Sequence, residues 1–150
     1  MAEKSGNGAF QPAGDCPVCA KHRGEGPLAG PVVFAGDLVV VSHQPRGVLG
    51  HLFVETRRHV ASLDLLTVAE AEAVARAARL TAVGLRAELD PEFVFSAVVG
   101  RSAAHFHQHV FVRHRGTPDE LPWTETDWPG APRGDAVELS ARLGAYFEGT

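Results

Sequence analysis

The stretch His105-Phe106-His107-Gln108-His109-Val110-Phe111-Val112-Arg113 carries an imidazole at every second position of its first half. Period two is the period of a β-strand, so a strand here sets His105, His107 and His109 on one face, neighbours ~7 Å apart. The opposite face holds Phe106, Gln108, Val110 and Val112, three of which are good strand residues. A half-buried strand with its histidines toward a cleft follows. The plainer alternative is a solvent-facing polar face. The near-neutral pKa of imidazole suits it instead to catalysis or metal binding.

A chain of 150 residues has the length of one ordinary domain and is long enough to bury a sizeable core. We expect a lead-in over residues 1–14, mobile and without periodicity, and a single domain over 15–150. The hydrophobic fraction of 45%, the charged fraction of 21% and the formal charge of -4 describe a soluble protein with no general attraction for nucleic acid or membrane. An anionic ligand must therefore be held locally. No apolar run approaches the ~20 residues that cross a bilayer, and Met1 to Gly8 lacks a signal-peptide core, so a cytoplasmic location is expected.

Cys16-Pro17-Val18-Cys19 has two usual interpretations in such a protein, a redox dithiol or half of a zinc site. The redox motif wants a strand before it and a helix after it. The following Ala20-Lys21-His22-Arg23-Gly24-Glu25-Gly26-Pro27 carries no helical pattern, which favours metal. Two unconnected thiols are the third alternative.

Pro31 to Phe34 and Leu38 to Val41 are β-rich runs joined by Ala35-Gly36-Asp37, a hairpin pattern. Gly50 to Glu55 forms a third strand, and Thr56-Arg57-Arg58-His59 leads out of it. Thr67-Val68-Ala69-Glu70 matches a capping box and starts a long helix. Val68, Ala71, Val74, Ala78, Ala82, Leu85 and Leu89 recur at helical steps, and Asp90-Pro91 ends the run. Phe93 to Val99 is a fourth strand, and Gly100 to Ala104 links it tightly to the antiparallel histidine strand. Beyond Arg113 the composition turns to Pro, Gly, Trp and acids, where Trp123 and Trp128 are expected to anchor on the body. Ala136 to Phe147 reads as a closing helix. The fold class is α+β: an antiparallel five-stranded sheet with a long helix packed on it and a C-terminal helix.

An imidazole held in one tautomer is a good nucleophile at phosphorus and, once protonated, a good leaving group. Flanking histidines neutralise the phosphate oxygens as charge moves onto them. His107, in the middle, is the best placed attacker.

His105-Phe106-His107-Gln108-His109-Val110-Phe111 resembles the His-x-His-x-His-x-x signature of the histidine-triad nucleotide hydrolases and transferases. Gly50 to His59 resembles that family's upstream strand and basic turn ending in histidine, so the resemblance covers about residues 16 to 113. It implies His107 as the nucleophile, His109 as a phosphate contact, and Ser102 as a residue that helps bind phosphate or leaving group. It further implies a structural zinc ion held by Cys16, Cys19, His59 and His105, and a homodimer. Gln108 and Arg101 depart from the usual pattern, which has an aliphatic residue and often Gln at these positions. His109 sets the chain apart from the galactose-1-phosphate uridylyltransferases, which carry His-Pro-His-Gly-Gln.

The expected activity is hydrolysis of dinucleoside polyphosphates or nucleoside phosphoramidates through a nucleotidyl-His107 intermediate. One rival is a non-catalytic nucleotide-binding, zinc-stabilised interaction protein. Another is a metalloenzyme with an open zinc ion held by the triad.

Overall fold

Five antiparallel strands form one sheet in the computed structural model, which describes residues 13–101 and 103–149. The strands are β1 (Val32–Ala35), β2 (Val39–His43), β3 (His51–Thr56), β4 (Phe93–Ala97) and β5 (His107–Arg113), in the order β1-β2-β3-β5-β4. A short helix α1 (Pro17–His22) precedes the sheet, a long helix α2 (Val68–Leu89) separates β3 from β4, and α3 (Ala136–Gly144) runs into a 3-10 turn, Ala145–Phe147. The sheet, the long helix and the closing helix are as expected. Residues 1–12 of the lead-in lie outside the described residues, and Ala13 to Asp15 form a 3-10 turn. Among the described residues no helix is long and apolar enough to cross a membrane.

Alternation sorts the sheet into two faces. Val39, Val41, Leu52, Val54, Val110 and Val112 are buried against Val74, Ala77 and Leu85 of α2 and Leu139 and Leu143 of α3. On the other face the register sets Glu55 opposite His107, Phe53 opposite His109 and His51 opposite Phe111. One face is therefore core and the other carries the histidines. Gly50 delivers β3 to this position: its φ is +97°, and a Cβ there would meet Val112 Cγ2 at 2.6 Å.

The capping box is formed as expected. Thr67 Oγ1 accepts from the Glu70 amide at 3.1 Å, and Glu70 Oε1 accepts from the Thr67 amide at 2.9 Å. The helix ends at Asp90 in the left-handed region, just before Pro91. Its buried stripe differs from the expected one. Val74 and Leu85 are buried, but Val68 is 76% exposed, while Ala77, Thr81 and Gly84 are buried instead. The stripe is turned because α3 packs on that side: a Cβ on Gly84 would lie 2.7 Å from Leu143 Cδ2 and 3.1 Å from Tyr146 Cδ2. Gly84→Ala should therefore destabilise by about 1 kcal/mol despite its better helix propensity. Chemical denaturation checks this, and a stabilised variant would contradict the close approach.

Three further expectations are corrected. Of the stretch Ala20 to Pro27, expected to carry no helix, Ala20 to His22 belong to α1, which Cys16 caps with Pro17 at its first position, so the missing helical pattern does not separate metal from a redox dithiol. His105 lies before β5, because the Phe106 amide bonds Val60 O at 2.7 Å instead of joining the strand ladder. β4 ends at Ala97, so the connection to β5 spans residues 98–106 and is not a tight link. In the C-terminal segment Trp123 stacks on Phe111 at 5.9 Å and meets Phe95 edge-on at 5.7 Å, anchoring that segment as expected.

Candidate metal centre and active site

Cys16, Cys19, His59 and His105 converge although they come from α1, the turn after β3 and the segment before β5. Each place has a local cause. Cys16 is the N-cap of α1, accepting from the Cys19 amide at 3.4 Å, so one helical turn brings the two sulfurs together. The turn carrying His59 is fastened to the capping box by Arg58, which donates to both Glu70 oxygens at 2.7 and 3.1 Å. His105, fully buried, donates its Nε2 proton to Thr56 O at 2.6 Å, which leaves the Nδ1 lone pair facing the cysteines.

The spacing suits one tetrahedral ion. With Zn–S ~2.3 Å and Zn–N ~2.05 Å, tetrahedral angles separate sulfur from nitrogen by ~3.5 Å and two nitrogens by ~3.3 Å. His105 Nδ1 lies 3.4 Å from Cys16 Sγ, 3.5 Å from Cys19 Sγ and 3.3 Å from His59 Nδ1, while Cys19 Sγ and His59 Nδ1 are 3.6 Å apart. Without a cation Cys19 resists ionisation: burial, then the neighbouring Cys16, pushes its thiol up to about 11. A divalent ion would reverse that preference and be held by the cysteines as thiolates. Burial also lowers the His105 pKa, which keeps the ring neutral as a metal ligand must be.

His107 and His109 line a cavity of about 400 Å³ whose apolar wall includes Val18, Leu28, Phe53 and Ala103. His107 is 6% exposed and donates from Nδ1 to His105 O at 2.8 Å. In the neutral ring that bond fixes the tautomer, with the proton on Nδ1 and the lone pair on Nε2. The ring of His109 lies 5.2 Å from that of His107, and burial first, then His107, lowers its pKa. Ser102, the third expected substrate contact, lies outside the described residues. Arg101 is exposed, and the half-buried Gln108 donates to Ser96 Oγ at 2.8 Å.

Two features escaped sequence reasoning. His51 Nε2 lies 3.0 Å from His109 Nδ1, so a fourth histidine backs the triad. Glu55, 2% exposed, lies 3.0 Å from Lys21 Nζ and 3.1 Å from His22 Nε2, and it lines the same cavity. Burial opposes its charge, but the hydrogen bonds and charges of His22 and Lys21 outweigh it and lower the Glu55 pKa. The signal was present in the alternation His51-Leu52-Phe53-Val54-Glu55, which puts every second residue on the histidine face once strand register is known.

Burial, with His109 and His43 nearby, pulls His51 from 6.5 down to about 4. The unfolded chain then binds the extra proton first, so this stability is fully present above about pH 6.5 and is lost as pH falls toward about 4. The loss amounts to roughly 3 kcal/mol at 1.36 kcal/mol per pKa unit. His51→Gln should shrink the acid-side loss in denaturation midpoints by that amount. Equal acid sensitivity in parent and variant would contradict it.

No family model matches the sequence, and no curated protein matches it. Solved structures do match the fold. A Zn-bound histidine triad family protein from Mycobacterium smegmatis is 20% identical, with a TM-score of 0.69, over 90% of this chain and 94% of the other. A Hit-like protein involved in cell-cycle regulation from Bartonella henselae is 16% identical, with a TM-score of 0.67, over 92% and 99%. The diadenosine triphosphate hydrolase of Plasmodium falciparum is 11% identical, with a TM-score of 0.54, over 77% and 72%. The fold is that of the histidine-triad proteins.

Proposed function

We propose that this protein is a nucleotide hydrolase that cleaves dinucleoside polyphosphates or nucleoside phosphoramidates through a nucleotidyl-His107 intermediate. The observation that carries it is the His107 Nδ1–His105 O hydrogen bond, because in the neutral ring it puts the lone pair on Nε2 of a residue that lines a cavity. In the first step Nε2 forms a bond to phosphorus while the bond from phosphorus to the leaving group breaks. Water then displaces the imidazole and releases a mononucleotide. His109, backed by His51, stabilises the phosphoryl oxygens as charge builds on them. The apolar wall at Val18, Leu28 and Phe53 suits a nucleobase. Ser102 contacts phosphate or leaving group. The Plasmodium neighbour, a diadenosine triphosphate hydrolase, supports this substrate class.

Cys16, Cys19, His59 and His105 hold a structural zinc ion, a proposal that the ligand spacing and the Zn-bound Mycobacterium neighbour support. Such an ion would tie α1 to the segment that leads into β5 and would supply structure and not bond making. With four protein ligands it would have no open position for substrate. The working form is a cytoplasmic homodimer, each chain one domain over residues 15–150 with no nucleic-acid or membrane partner. Turnover of a panel of diadenosine polyphosphates and adenosine phosphoramidates tests the activity. Release of AMP from at least one of them is expected, and binding without turnover of any would contradict a hydrolase and favour a nucleotide-binding protein.

A further inference from the structure

A second cavity, of about 350 Å³, lies on the histidine face of the sheet over β1 and β2. Its lining includes Lys21 and Arg23 from α1 and its end, Arg57 from the turn after β3, and Val40 and Ser42 from β2. Lys21 also lines the catalytic cavity, so the two adjoin at that residue. In a chain of formal charge -4, three cations around one concavity call for an explanation. Their partners satisfy them unequally. Lys21 is paired with buried Glu55, Arg23 with exposed Glu25 at 3.3 Å, and Arg57 with a carbonyl, that of Gly36 at 2.5 Å. Arg57 has no carboxylate partner among the described residues.

An independent observation falls in the same cavity. Ser42 is 1% exposed and its hydroxyl has no hydrogen-bond partner among the described residues, which is uncommon for a buried polar group. Ser42 stands opposite Phe53 in the register, so its side chain shares the face that carries the histidines. We infer that this second cavity is a binding site for a polyphosphate group, held by Arg23, Arg57 and Lys21, with the Ser42 hydroxyl donating to an oxygen. Guanidinium groups match phosphate oxygens in geometry as well as charge, and two of them with an ammonium group suit a di- or triphosphate. The polyphosphate belongs either to the distal part of the substrate, reaching past Lys21 from His107, or to a separate phosphorylated ligand. Binding here does not depend on the chemistry at His107.

Inorganic tripolyphosphate is the probe, titrated calorimetrically into the zinc-loaded protein. Saturable, salt-sensitive binding is expected, weakened roughly tenfold or more in Arg23→Ala/Arg57→Ala, whose zinc content and melting temperature should match the parent. Ser42→Ala should weaken binding without changing its salt dependence, and His107→Ala should bind as the parent does. Competitive inhibition of diadenosine polyphosphate turnover by tripolyphosphate identifies the site with the substrate's own distal phosphates. Simultaneous occupancy identifies it with a separate ligand. Absence of saturable binding, or an affinity that the double arginine variant leaves unchanged, overturns the site itself, whatever the outcome at His107.

Discussion

His107→Ala is expected to lower turnover by roughly a thousandfold or more while the protein keeps its fold, its zinc and most of its affinity for nucleotide. The size of the effect follows from the role. In the proposed mechanism His107 Nε2 is the atom that bonds to phosphorus, and among the described residues of the cavity wall no other imidazole donates to a backbone carbonyl. His109→Ala should cost less, because it removes charge stabilisation and leaves the attacker in place. Steady-state kinetics separate the two variants. Turnover within tenfold of the parent in His107→Ala would rule out the covalent route.

The second large effect is expected at the metal centre. Cys16→Ser should abolish stoichiometric zinc and lower stability by about 4 kcal/mol or more, because a closed structural site contributes its binding free energy to folding. For a chain of this length that corresponds to a fall in melting temperature of roughly 10 °C or more. His59→Ala should behave in the same way, although His59 is 40 residues from Cys19 in sequence. Both variants should lose activity through displacement of the segment that leads into β5. Metal analysis and calorimetry on the same preparations test this. A parent protein that binds no zinc, or a His59→Ala variant that retains it, would contradict the four-ligand site.

Much of the arrangement was legible because local signals agreed with one another. The capping box at Thr67 and Glu70, the Asp90-Pro91 stop and the alternation along β3 and β5 each depend on a few neighbouring residues. The convergence of Cys16, Cys19, His59 and His105 is a long-range property, and it was anticipated through the resemblance to the histidine-triad pattern and not from spacing alone. What escaped notice shares one cause. Helix α1 is too short for periodicity to show, and its cap is a cysteine, which reads first as a ligand or redox group. The His51–His109 contact and the Lys21–Glu55–His22 cluster depend on which residues face each other across strands and beneath α1. Gly84 reads as a weak point in a helix until α3 is seen against it.

The covalent intermediate is tested most directly by a mass spectrum of the protein quenched during turnover of a diadenosine polyphosphate. The expected spectrum contains a species heavier by one adenylyl group, with the addition on the peptide carrying His107, absent from His107→Ala and decaying as AMP appears. Turnover with no such species under conditions that preserve phosphohistidine, or an adenylyl group on any other residue, would contradict His107 as the nucleophile.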